Sequence, residues 1–261
     1  MSYQHILYEV AGHVATVTFN NPAKLNAWSY AMNAEIRSAM EAAADDHDVR
    51  VIILTGAGRG FCAGADMAAV QANVGAGPSA NSEADVEAID DLVYFTRIPK
   101  PIIAAVNGPA AGIGAAMAIF SDYRFIAENA KFTTTFARRG LIAEFGIAWM
   151  LARQIGIMNA LDVLSARVFT GAELANLGLA RALPAEGFME GVRAFAHDLA
   201  FNVSPRSMGV IKRQLYESFA QSAEEARQLA RIEAMKSFAA EDYKEGVAHF
   251  LEKRAPAFTG R

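Results

Sequence analysis

Two glycine-rich segments carry the residue types from which backbone chemistry can be built: GRGFCAGAD at 58–66 and NGPAAGIG at 107–114. Gly112 and Gly114 stand where a helix is predicted to begin, and the first N–H groups of a helix have no partner within it. Such a place holds an anion. Two N–H groups brought together would form an oxyanion hole, in which one donor is worth about 2.7–4 kcal/mol of barrier height. Taken singly, each glycine cluster is also what a tight turn requires. A dinucleotide-binding fingerprint fits less well. Gly112-Ile-Gly114-Ala-Ala-Met117 lacks its third glycine, and Glu128 comes too early to bind a ribose. The side chains nearby offer little acid–base chemistry, since no residue between Lys100 and Asp122 is ionisable. Further on, LIAEFGIAWMLA at 141–152 contains one charge, Glu144.

The elements that must position these segments follow from periodicity. Residues 6–19 alternate apolar and polar around Ala11-Gly12-His13, as a hairpin does, and Asn20-Asn21-Pro22 ends it. A helix is predicted over 29–43, with Met32, Ile36 and Met40 on one face, and acidic residues at 45–48 stop it. VRVIIL at 49–54 is the near-continuous apolar run of a strand buried on both faces. The uncharged stretch 99–122 is as long as a membrane span, yet Asn107-Gly108-Pro109 interrupts its middle. It reads as a strand over 102–106, a turn, and a small-residue helix over 110–120. A helix-bearing crossover joins the two buried strands, which implies parallel pairing and an α/β arrangement, with both glycine segments at one edge of the sheet. Inside that crossover, 71–83 reads as a surface loop placed to act as a lid, and 82–95 as a helix. Short strands are predicted over 123–127 and 131–135. Thr170-Gly-Ala-Glu173 and Ser222-Ala-Glu-Glu225 are capping boxes, Gly178 ends a helix, and Ser204-Pro205 starts one. No internal repeat is visible.

The 261 residues, 53% hydrophobic and 20% charged, suffice for a sizeable core. A net charge of -4 leaves no electrostatic footprint for nucleic acid or an anionic membrane. One cysteine, Cys62, rules out an internal disulfide framework and suits a reducing compartment, and nothing in the first residues resembles an export signal, so a cytoplasmic location is expected. The five histidines show no metal-ligand spacing.

NPAKLNA (21–27), VIILTGAGRGFCAGAD (51–66), KPIIAAVNGPAAGIG (100–114), the Ser-Asp pair at 121–122 and FLEKRAPAF (250–258) occur in the order and at the spacing of one family. Along nearly its whole length the chain resembles the enoyl-CoA hydratase/isomerase (crotonase) family. That resemblance implies a crotonase-like α/β spiral of ββα repeats over residues 1–200, and a C-terminal helical trimerisation region over 201–261. It further implies a homotrimer or dimer of trimers and an acyl-CoA substrate. Coenzyme A would enter only as part of that thioester, with no separate cofactor, and an enolate would form against two backbone N–H groups. Position by position, those N–H groups fall on Ala65 and Ile113. The family usually has glycine at the second; isoleucine keeps the N–H and adds bulk that would narrow the pocket. Lys24, Ala27, Ala63, Asp66 and Met67 would line the coenzyme A path, with Phe250 and Lys253 reaching its adenine end. Ala68 stands where many relatives carry a phosphate-binding lysine.

The departures from the family pattern bear on the reaction. The two glutamates with which hydratases of this family add water fall on Ala116 and Phe136, neither of which can move a proton. Glu144 lies in a segment resembling the loop where some isomerases of the family keep their single carboxylate. One base suffices to shift a double bond. Its neighbours Leu141, Ile142, Phe145, Ile147 and Trp149 are apolar, and desolvation by them would raise its pKa toward working pH. A glutamate at a helix N-terminus is also stabilised by the dipole, by about 0.3–1 kcal/mol, with no role in catalysis. The resemblance therefore implies an enoyl-CoA isomerase with Glu144 as base. Alternatives are a hydratase using Glu144 and water, and a catalytically silent acyl-CoA-binding subunit.

Overall fold

In a computed structural model, which describes residues 3–66 and 92–261, β1 (Ile6–Ala11) and β2 (Val14–Phe19) form the predicted hairpin, with Ile6 opposite Phe19. Both turn residues, Gly12 (φ 54°) and His13 (φ 61°), are left-handed, as a two-residue turn between twisted strands demands. Helix α1 (Tyr30–Asp45) starts where the Ser29 hydroxyl accepts the Met32 N–H, and it buries Met32, Ile36 and Met40. β2 then pairs in parallel with β3 (Val51–Gly56). Of the predicted helix over 82–95, Leu92 and the short α2 (Tyr94–Arg97) are seen; the rest, and the loop over 71–83, lie outside the described residues.

β4 (Ile102–Val106) lies parallel beside β3, and every residue of both strands is buried. The sheet continues through β6 (Tyr123–Ala127) to β9 (Arg181–Leu183), in the order β1-β2-β3-β4-β6-β9. A second, three-stranded sheet contains β5 (Ala110–Ala111), β7 (Lys131–Thr133) and β8 (Phe169–Thr170), and Cys62 bridges onto its Ala110. A strand in the first sheet, a short strand in the second and a helix therefore recur. β4 and β5 lead into α3 (Ile113–Phe120), and β6 and β7 lead on to α4 (Ile147–Leu164). The repeat is one of backbone path, which is why no repeat of residues announces it. α3 begins three residues later than periodicity predicts, because the second sheet claims Ala110 and Ala111. All eight of its residues are buried within the protein.

The capping boxes form as read, at α5 (Gly171–Asn176) and at α8 (Ala223–Phe238). α6 (Phe188–Asn202) packs on the large sheet; Ser204 and Pro205 open α7 (Pro205–Glu217), and α9 (Glu241–Glu252) follows α8. α7 is anchored through one carboxylate at the N-terminal edge of the sheet. Asp122 accepts the Ile102 N–H at 2.7 Å, the Lys212 ammonium at 2.7 Å and the Tyr216 hydroxyl at 2.9 Å. Burial pulls the Lys212 pKa down against the attraction of Asp122, and pushes the Tyr216 hydroxyl up. Beside them, the Arg124 guanidinium donates to the carbonyls of Ala118, Ile119 and Ser121 at the end of α3, and to Leu179. Its burial lowers the pKa to about 10, so it remains cationic at neutral pH. Arg50 ties distant parts together by donating to the carbonyls of Ala200 and Phe258, each at 2.8 Å.

Candidate active site

β3 and β4 are adjacent and parallel, so the glycine segments that follow them meet at one edge of the sheet. The meeting is a close backbone contact. The Cys62 carbonyl accepts the Ala111 N–H at 2.9 Å, and a Cβ on Gly114 would lie 2.3 Å from that same oxygen. Gly64 (φ 93°) and Gly112 (φ 52°) face each other; a Cβ on Gly112 would stand 3.8 Å from the Gly64 Cα. These glycines serve the approach of the two loops as well as their turns.

Two peptide groups at this contact have their N–H directions set by what their carbonyls do. The Trp28 N–H donates to the Gly64 carbonyl at 2.8 Å, and Trp28 accepts from Asp66 at 3.1 Å. The Ala65 N–H shares a planar trans peptide with that carbonyl, so it points away from Trp28. Likewise the Gly112 carbonyl accepts the Ala116 N–H at 3.0 Å, as the first bond of α3, and the Ile113 N–H therefore points out of the helix's N-terminal end. Neither N–H has a hydrogen-bond partner among the described residues. The Ile113 side chain is buried in the hydrophobic core, 5% exposed.

Around this pair the segments 24–28 and 63–66 are laced together. Ala27 donates to Lys24, Ala63 donates to Leu25, and the Lys24 ammonium lies 2.6 Å from the Asp66 carboxylate. Lys24, Ala27, Ala63, Ala65 and Asp66 are thereby brought together, whereas Met67 lies outside the described residues. Phe250, 76% exposed, and Lys253, left-handed at φ 56°, sit at the end of α9. Periodicity missed two struts. Asn26, fully buried, donates to the Ala57 and Gly60 carbonyls at 3.0 and 2.8 Å and accepts the Asn21 N–H. Asn107 donates to the carbonyls of Gly56 and Gly58. Only Asn107 carried a sequence signal, standing directly before Gly108; Asn26 (φ 56°) is far in sequence from the glycines that it braces.

Glu144 is half-buried in a short 3-10 turn, Glu144–Gly146, ahead of α4. Phe145 (φ 60°) and Gly146 (φ 73°) are both left-handed and reverse the chain. A Cβ on Gly146 would touch the Phe120 ring at 3.8 Å, and Phe120 shares a face of α3 with Ala116, one turn back. On the other side the Phe145 ring lies 6.1 Å from that of Phe136. Phe136 follows Thr135, whose hydroxyl oxygen lies 3.4 Å from a Cβ position on Gly112. A continuous run of contacts thus joins the loop of Glu144 to the loop of the Ile113 N–H. Ala116 and Phe136 are buried, at 0% and 5% exposure. The expected apolar surround of Glu144 is only half realised in the single chain. Ile147 is buried and Phe145 half-buried, but Leu141, Ile142 and Trp149 are 48%, 75% and 40% exposed, because the turn lies on the surface of the chain.

The enoyl-CoA hydratase/isomerase family pattern matches residues 9–261. The chain belongs to that family. A Rhodobacter capsulatus protein named "Probable enoyl-CoA hydratase" is 36% identical over all of both chains, and the 1,2-epoxyphenylacetyl-CoA isomerase of Escherichia coli is 34% identical over 99% of each. Among solved structures, that of a probable enoyl-CoA hydratase/isomerase from Mycobacterium abscessus superposes with a TM-score of 0.90 at 30% identity, covering 98% of this chain and 99% of that one. The enoyl-CoA hydratase/isomerase fold and its enzymatic character are thus those of this chain, and the paired N–H groups stand on its two glycine loops.

Proposed function

We propose that this protein moves the double bond of an enoyl-CoA, with the thioester oxygen held by the Ala65 and Ile113 N–H groups and Glu144 as the shuttling base. The observation that carries the reading is a carboxylate at 144 linked by contact to the Gly112 loop, while Ala116 and Phe136 hold no proton-moving group. Glu144 takes a proton from C2 of a 3-enoyl thioester, and the C–H electron pair becomes that of the enolate. It returns the proton to C4, leaving the double bond between C2 and C3 with no net gain or loss of atoms. The coenzyme A path runs past Lys24, Ala27, Ala63 and Asp66, the members of the expected set that lie within the described residues. The apolar side chains exposed on α4 and α9, among them Met158 and Leu251, fit an assembly of several copies, a trimer or dimer of trimers, in which Phe250 and Lys253 can serve the adenine end. The test is Glu144→Gln on a 3-enoyl-CoA. Turnover should fall roughly 10²–10⁴-fold, the usual worth of a general base, with acyl-CoA affinity unchanged. Near-normal turnover would sink the assignment. The hydratase name of the R. capsulatus relative favours a second reading, water addition by Glu144 and a bound water, recognised by a 3-hydroxyacyl-CoA product from a 2-enoyl-CoA.

A further inference from the structure

We propose that the Ile113 side chain is a positioning group: packed into the core, it fixes the peptide whose N–H is the second donor to the thioester oxygen. The inference deepens the reading above and rests on its pair of donors. Those two N–H groups are held by unlike means. Ala65 pairs with Trp28 in a β-bridge, where Trp28 donates to Gly64 at 2.8 Å and accepts from Asp66 at 3.1 Å, so backbone bonds grip it on both sides. Ile113 instead opens α3 between two glycines. Gly112, at φ 52° and ψ -121°, turns the chain, and Gly114 lets α3 come against the Cys62 carbonyl. Glycine has more backbone freedom to lose on folding than any other residue, so a donor flanked by two of them needs an anchor. The neighbouring hydrogen bonds belong to Gly112, whose N–H donates to Thr133 at 3.1 Å and whose carbonyl accepts from Ala116 at 3.0 Å. Within 112–114 only Ile113 has a side chain. It is 5% exposed, in the same core as Ala115, Ala116 and Met117 at 0%. Its β-branch leaves few rotamers, and close-packed neighbours resist any turn of its Cα that would sweep the methyl groups through them. The bulk that isoleucine adds thus goes into the core, and what the site gains is rigidity. A donor fixed beforehand needs no reorganisation as charge develops on the oxygen.

The experiment reads the donor directly. Wild-type protein and variants are loaded with a saturated acyl-CoA bearing an isotope-labelled thioester carbonyl, and the infrared band of that carbonyl is compared bound and free. Hydrogen bonds to the oxygen polarise the bond and lower its frequency. Ile113→Gly should lose roughly a quarter or more of the wild-type shift, as one of two donors loosens. On a 3-enoyl-CoA its kcat should fall about tenfold, short of the 10²–10³-fold that removing a donor costs, with KM held within roughly threefold. Ile113→Val keeps the β-branch and should recover most of both losses. If Ile113→Gly does not fold, Ile113→Ala removes most of the anchor and should show the same losses in smaller measure. A folded Gly or Ala variant whose bound carbonyl band matches that of wild type overturns the proposal, even if it melts lower, because packing alone would then explain the isoleucine. So does an equal loss of shift in Ile113→Val. Failure of the underlying reading appears differently. A wild-type band unmoved by binding removes the pair of donors, whereas Glu144→Gln with near-normal turnover removes the base and leaves the comparison of carbonyl bands standing.

Discussion

The two edges of the large sheet are built on opposite principles. At the C-terminal edge, where β3 and β4 run out, position is set by backbone: glycines in contact, peptide groups aimed by their carbonyl partners, and neutral asparagine struts. At the N-terminal edge, where β4 and β6 begin, position is set by buried charge, with Asp122, Lys212 and Arg124 satisfied by one another and by carbonyls. A buried charge near a forming enolate would compete with the proposed donors and shift the pKa of the base, whereas a peptide dipole stabilises developing charge without titrating. The difference teaches that strong ionic anchoring is tolerated in this fold on the side away from the candidate chemistry.

That contrast can be broken by experiment. Removing the acid at the charged edge should have the largest effect on stability. Asp122→Ala strands Lys212 in the interior and should cost roughly 3–5 kcal/mol in denaturant unfolding, while the fraction that folds keeps its turnover. Loss of turnover in folded Asp122→Ala would mean that the edges are not separate in function. Gly114→Ala should do the reverse in proportion. Its Cβ would meet the Cys62 carbonyl at 2.3 Å, so α3 must move, costing about 1–3 kcal/mol of stability and a larger share of activity, since the Ile113 N–H moves with it. The smallest effect concerns acid. Arg254 and the Ala257 N–H bind the Glu245 carboxylate and hold its pKa down at about 2, below its ordinary 4.5. A depressed acid stabilises the fold above the unfolded value and loses that contribution as pH falls through the folded one. The melting-temperature gap between wild type and Glu245→Gln should therefore hold above pH about 4.5 and close toward pH 2, whereas Gly114→Ala should keep a constant gap over the same range.

Much of this arrangement was readable from residues, and what was not has physical causes. β4 and β6 matched their predicted bounds because apolar β-rich runs between turn residues have few other solutions. Ala110 and Ala111 favour helix locally, yet β7 from the next turn of the spiral pairs with them, and tertiary context overrode propensity. Strands of two or three residues, such as β5 and β8, carry no measurable period. In the site, the glycine clusters and Glu144 stood out because a spacing or a lone charge can be seen in one dimension. Asn26 did not, since its value lies in the carbonyls of Ala57 and Gly60 that only folding brings to it. Leu141 and Ile142 show the converse, as apolar character alone does not say which surfaces remain uncovered in one chain.

The contact from Arg50 to the carbonyl of Phe258 has a consequence for how the protein is made. It closes a loop of 208 residues next to β3. Each doubling of loop length adds only about 0.6 kcal/mol of closure entropy, so the contact is affordable at equilibrium. Its cost falls on time. The guanidinium cannot reach its final acceptor until more than two hundred further residues have been added, and contacts so distant in sequence slow folding. While those residues are made, β3 must therefore wait with this fastening open.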